Sequence, residues 1–433
     1  MKRPARLSIA FGAVVTFALI AAPPLGAQDY SRPIVYAVPG MDKVEADLNV
    51  AYRRDGGAEM KADIYVPPGL STDARVPAVI FIHGGPLGAN PSPGAKDWGI
   101  YRSYGRLMAA SGLVGVTFDH RYVSMKVKDL ETSFADVEEL IRFVRTNAAA
   151  YHVDPDRIAL WAFSGGGPHL SLGLRGGRTF IRCLVSYYAT LDEVPNAARI
   201  GETPEALEKY SPARYVTKDA PYLPSVLIGR AGLDSAGINA SVELFASRML
   251  ALNGDLSILT HPLGRHGFDA YDDDDVSRQI IAATVAFLKV RLSRPEPFDY
   301  RKTMAAAELQ RLMEERKYEA ARAYVKANLS GPGDKVVTDV LAAEPRLTSI
   351  GNYLLGSNPS AAVQALEWAV ETGPGSANAH VSLAAAYEKT GKVREAAAEA
   401  RKALDLVDKD PALNDARKEV VRAAATDLLG RLK

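Results

Sequence analysis

Between residues 47 and 293 the chain alternates short apolar runs rich in β-branched residues with longer stretches whose apolar positions recur at helical spacing. The short runs read as strands buried on both faces, and their alternation with helices predicts a mostly parallel sheet with crossover helices. Eight strands are expected, at Asn49–Arg53, Lys61–Val66, Pro77–Ile82, Val114–Phe118, Ile158–Phe163, Cys183–Tyr188, Ser225–Gly229 and Leu256–His261. The first two form an antiparallel hairpin around Asp55-Gly56-Gly57, because such a tight turn needs residues that accept positive φ. Helical periodicity covers Trp98–Ala110, Ser133–Ala149, Gly166–Leu174, Asn239–Leu252 and Val276–Leu292. The fold class is therefore α/β, over a domain spanning 28–293.

Beyond that point the pattern changes. Residues 294–303 hold Pro295, Pro297 and several charges and read as a linker. From 304 to 433 Ala, Glu, Lys, Arg and Leu dominate, the strand signal disappears, and an all-α domain is expected. Ala362, Leu366 and Ala369 recur 34 positions on as Ala396, Ala400 and Ala403. That period belongs to tetratricopeptide-like stacked helix pairs, with the clearest unit at Asn378–Pro411. An ordinary Ala-rich bundle places small residues at the same spacing. Such a region could pack on the rest of the chain, self-associate or take a protein partner.

At the other end, Lys2, Arg3 and Arg6 precede an uncharged, largely apolar run from Leu7 to Ala22, followed by Pro23, Pro24 and Ala27. Residues 1–27 read as a signal peptide, so a secreted, periplasmic protein is expected. A single membrane anchor is the alternative, since the run approaches the roughly 20 residues that span a bilayer.

Composition narrows the chemistry. The 433 residues include 52 Lys and Arg against 51 acids, a balance that offers no drive toward nucleic acid. The lone Cys183 can form neither an internal disulfide nor a thiolate metal cage. Asp272-Asp273-Asp274-Asp275 lacks the alternating donors and glycine bend of a calcium loop and reads as an acidic helix start. No metal or cofactor is expected.

The strand at 158–163 runs into Ala162-Phe163-Ser164-Gly165-Gly166-Gly167 and directly into a helical pattern. A strand-to-helix turn this tight needs small residues two positions either side of the serine, which Ala162 and Gly166 supply. The helix start turns backbone N–H groups toward the serine, where negative charge would develop. A second element, His83-Gly84-Gly85-Pro86, ends an apolar strand, and its glycines suit an oxyanion hole shared with the Gly165 N–H. A serine hydroxyl needs a base, and the base needs an orienting carboxylate. His266 follows the last strand in a loop free to swing over the sheet edge, whereas His261 sits in the strand itself. Asp234 lies just past the strand at 225–229. The order Ser164, Asp234, His266 is the chain order of the α/β-hydrolase fold.

On Val79–Gly85, Asp154–Gly166 and His266-Gly267-Phe268, the region from about 45 to 293 resembles the α/β-hydrolase superfamily. It lies near the dienelactone hydrolase, acetyl-xylan or feruloyl esterase and prolyl-oligopeptidase branches. The resemblance implies a metal-free serine hydrolase with Ser164 as nucleophile, His266 as base, Asp234 as acid, and an oxyanion hole from Gly85 and Gly165. Ala162 departs from the usual glycine, and serine stands where dienelactone enzymes often carry cysteine. Leu87, Trp98 and Phe163 are expected to line the substrate pocket, and 189–221, with Pro195, Pro204 and Pro212, reads as a short lid. The expected activity is cleavage of a small-molecule or carbohydrate-linked carboxylic ester. A prolyl-oligopeptidase-like peptidase and a non-catalytic scaffold carrying the helical module are the rival readings.

Overall fold

The computed structural model describes residues 29–55, 58–89, 91–331 and 334–432. The signal peptide expected at 1–27 lies outside the described residues. Eight strands build one sheet: β1 (Ala46–Asp55), β2 (Ala58–Tyr65), β3 (Val76–Ile82), β4 (Val114–Phe118), β5 (Val153–Phe163), β6 (Ile181–Tyr187), β7 (Ser225–Ala231) and β8 (Leu256–His261). Their order is β1-β2-β4-β3-β5-β6-β7-β8. The β1–β2 hairpin and the β2–β4 pair are antiparallel, and every pair from β4–β3 to β7–β8 is parallel. This is the α/β-hydrolase fold, followed by a helical C-terminal region.

Successive residues of a strand point to opposite faces, and here both faces are covered. On one side Val79 and Phe81 of β3, Trp161 and Phe163 of β5 and Val185 and Tyr187 of β6 pack with the helices Gly99–Ala110 and Asp275–Leu292. On the other, Ile80, Ile82, Leu160, Ala162 and Leu184 meet the helices Val127–Thr146 and Ala236–Ala251. Double burial is why the central strands β3 to β7 read as apolar runs, while the edge strands β1 and β8 stay largely half-buried or exposed.

Element edges depart from the sequence pattern where local chemistry intervenes. β5 begins at Val153 rather than 158, because Val153 already pairs with Val76 across the polar Asp-Pro-Asp stretch. The helix expected over 166–174 is a 3-10 helix, Ser164–Leu170, running into one α-turn, Ser171–Leu174. Pro168 lies inside it, and its ring and missing N–H disfavour an α-helix there. The range 294–303 is not a free linker. A helix starts at Tyr300, and that side chain is buried with Phe298 and Met304 against the sheet core, its hydroxyl donating to the Ala220 carbonyl.

Eight helices follow from Tyr300–Glu314 to Asp415–Arg431 among the described residues. Ala362, Leu366 and Ala369, and their counterparts Ala396, Ala400 and Ala403, are all fully buried. The alanines at five of these six positions let the helices Pro359–Thr372 and Val393–Leu406 seat closely on Ala377–Lys389.

Candidate active site

The carboxyl ends of β3, β5, β7 and β8 converge at one edge of the sheet. β5 stops at Phe163, and Ser164 takes φ 51°, a left-handed conformation costly for a side-chain-bearing residue. The turn persists because the surroundings leave no alternative. A Cβ on Gly165 would lie 2.0 Å from the Gly85 carbonyl oxygen, one on Gly166 2.6 Å from the His83 carbonyl, and one on Gly167 2.0 Å from the Thr190 carbonyl. The three glycines thus let the loop after β3 and the chain after β6 close onto the serine turn.

His266 Nε2 lies 2.8 Å from Ser164 Oγ, and its Nδ1 lies 2.8 Å from Asp234 Oδ2. A carboxylate only accepts, so Nδ1 carries the proton and the hydroxyl donates to Nε2. The Asp234 side chain is 4% exposed while His266 is 44% exposed, so the carboxylate is shielded and the imidazole opens to the cavity. The second Asp234 oxygen accepts from the Ser235 N–H at 2.7 Å. The loop bearing His266 is clamped by Asp272, which takes the Arg265 N–H at 2.8 Å and its Nε at 2.6 Å. Of the four consecutive aspartates, Asp274 caps the following helix through the Ser277 N–H. It also holds His261 Nε2 at 2.9 Å, so that histidine's partner is Asp274, whereas His266 is the one that meets Ser164.

The loop after β3 is fixed in turn. The Gly84 N–H donates to Tyr101 Oη at 3.1 Å, and the buried His83 ring meets the Gly84 carbonyl through Nδ1 at 2.6 Å. The Gly85 N–H has no acceptor among the described residues, and the Gly165 N–H falls in the first helical turn, ahead of intrahelical bonding. Beneath them His83 stacks on His120 with centroids 3.8 Å apart. Ser133 Oγ bridges His120 Nδ1 at 2.6 Å and His169 Nε2 at 2.7 Å. Burial lowers all three histidines, His83 to about 4 and His169 to about 3, so they stand neutral in the core.

A cavity of about 250 Å³ opens over Ser164. Leu87, Trp98 and Phe163 line it, as do Tyr101, Tyr188 and Tyr271, which sequence patterning did not single out. Nor did it indicate Asp29, Tyr30 and Arg32, which form an outer wall. Tyr30 packs on Trp98 at 4.6 Å, and its carbonyl accepts from the Gly99 N–H at 2.6 Å. Gly99 is what permits this approach, since a Cβ there would sit 2.1 Å from the Ser31 carbonyl oxygen. The expected lid contributes nothing to the cavity. Leu191, Leu207, Tyr210 and Ala213 bury 189–221 into the core on the opposite face of the sheet, and that apolar anchoring is why it does not hang over the serine.

Residues 62–180 match the family model described as BD-FAE, a span that includes Gly85 and Ser164 but ends before Asp234 and His266. The chain is 27% identical over 153 residues to prolyl endopeptidase FAP of Mus musculus, covering 32% of this chain and only 19% of that protein. It is also similar to the thermophilic esterase Est2 of the Planctomycetes species Thermogutta terrifontis. The native form shares 21% identity over 59% of this chain and 96% of that one, with a TM-score of 0.47. The form phosphorylated by paraoxon shares 20% identity over 59% and 97%, also with a TM-score of 0.47.

Proposed function

We propose that this chain is a serine hydrolase cleaving carboxylic esters through an acyl-enzyme on Ser164. The observation that carries the reading is the hydrogen-bonded line from Asp234 through His266 to Ser164, with 2.8 Å at each step, at the floor of an open cavity. Ser164 Oγ attacks the ester carbonyl while its proton passes to His266 Nε2. The resulting oxyanion takes hydrogen bonds from the N–H groups of Gly85 and Gly165. As the intermediate collapses, His266 gives the proton to the leaving alkoxide and the alcohol departs. Water then repeats the sequence on the acyl-enzyme, releasing the acid and restoring the Ser164 hydroxyl. Asp234 holds the imidazole in the tautomer that both transfers require.

The aromatic walls and modest volume favour short acyl groups or a single ring, with activity falling on long-chain esters. Exported action follows from the signal-peptide reading of 1–27. The helical region is read as tetratricopeptide-like pairs offering a face to a protein or a second copy. Likeness to a prolyl endopeptidase makes an amide substrate the second reading. The test is a panel of chromogenic acyl and sugar esters beside aminoacyl amides, together with labelling by a fluorophosphonate. Ester turnover and labelling should both vanish in Ser164→Ala, whose melting temperature should match the parent. Activity surviving in that variant, or an unlabelled native protein, would refute the assignment.

A further inference from the structure

Three residues past His266 lies a second carboxyl group that the ester-cleaving reading leaves unused. Asp269 is completely buried. Its two oxygens accept from two phenols, Oδ2 from Tyr104 at 2.6 Å and Oδ1 from Tyr188 at 2.7 Å. Its backbone carbonyl accepts from Val35 N–H at 2.8 Å, which ties the N-terminal segment to the same point. Tyr188 is the connection to chemistry. Its ring lies 4.8 Å from the His266 ring, it lines the cavity, and its backbone is held at φ 39°. A bulky residue keeps such a conformation only when its neighbours over-determine it.

We infer that Asp269 is a positioning residue for His266: through Tyr188 it fixes the imidazole over Ser164, and its buried negative charge favours the imidazolium formed during turnover. This rests on His266 being the base of Ser164. The titratable groups facing Asp269 are Tyr101 and Tyr104 from the helix Gly99–Ala110, Tyr187 and Tyr188 at the end of β6, and His266 from its own loop. No lysine or arginine among the described residues pairs with it. His266 itself faces Asp234, Ser164 and Tyr188, while the nearby Arg265 is occupied by Asp272. Burial pushes the Asp269 carboxyl up to about 6 despite its two donors, so at neutral pH the anion prevails.

Two near-isosteric changes separate this from a purely structural role. Asp269→Asn removes the charge, so kcat should fall at least tenfold, and the acid limb of kcat/KM should move to lower pH because the imidazolium loses its support. Tyr104→Phe leaves the carboxyl but removes one donor, so Asp269 protonates sooner and the acid limb should move to higher pH, with the plateau near that of the parent. Opposite displacements in full-length protein, measured on a chromogenic acetyl ester, are the expected result. Profiles that overlay the parent after scaling, or displacements of the same sign, overturn the inference. If Asp269→Asn does not fold, Tyr104→Phe decides alone, and an unmoved limb refutes it. The Ser164→Ala control keeps the outcomes apart, since activity persisting there removes the underlying reading rather than this one.

Discussion

Ser164 and the three glycines after it act as one device. The positive φ at Ser164 points its Oγ out of the sheet toward His266, and it holds only because carbonyl oxygens of neighbouring loops crowd the following turn. Gly165 matters twice, for this contact and for its N–H. Gly165→Ala would drive a methyl into the Gly85 carbonyl and push apart the two N–H groups assigned to the oxyanion. We expect kcat/KM to fall by about a hundredfold or more, the scale of losing an oxyanion donor. Gly88→Ala, with open space around it, should strain the local backbone and leave turnover within a few-fold. Steady-state kinetics of the two variants on one acetyl ester checks the contrast. At this scale the three side chains that the structure brings into one hydrogen-bonded line, Ser164, Asp234 and His266, could be picked out in the sequence, because each lies at or shortly after the end of a strand. Asp269 stood three residues past His266 in plain view, but its partners Tyr188 and Tyr104 lie 81 and 165 positions away. Nothing local marks such a residue.

Elements were legible in proportion to how far burial alone shaped them. β4, buried at every residue, follows its apolar run to the residue, whereas β5 starts early and the helix after Ser164 is a 3-10 turn, because pairing register and Pro168 override periodicity. The N-terminal strap is the instructive miss. Residues 29–32 have no periodicity, and long-range contacts to Trp98 and Gly99 set their place on the cavity. Tyr30 supplies an aromatic face to the wall without touching Ser164 or His266. Tyr30→Ala should therefore raise KM roughly twofold to tenfold, the worth of one aromatic contact, and leave kcat within twofold. Loss of kcat at unchanged KM would instead make the strap part of the reacting geometry.

For the molecule as a whole, pH tests how the site is built into the core. His83, His120 and His169 are buried neutral beside the two loops that carry Gly85 and Gly165. A histidine depressed by folding contributes stability that is fully present above its unfolded value, near 6.5, and lost as pH falls through the folded value. Asp269 and Glu193, both raised to about 6 by burial, act in the opposite sense and gain stability as pH falls from about 6 to the ordinary carboxylate range. Each group is worth about 1.4 kcal/mol per pH unit over its own window. His83 and His169, over windows of about 2.5 and 3.5 units, already outweigh Glu193 and Asp269 over about 1.5 and 2, and the lowered His120 adds to the same side. Carboxylates lowered by arginine partners, such as Asp255, add to the acid-side loss. Urea midpoints should therefore decline steadily from pH 6.5 to 4. Because the histidine stack touches the Gly84 and Gly166 carbonyl network, ester turnover should fail irreversibly in the same range. A midpoint that is flat or rising over that interval would mean that the buried histidines reach solvent or a counter-ion, and that the floor of the site is not the dry packing described above.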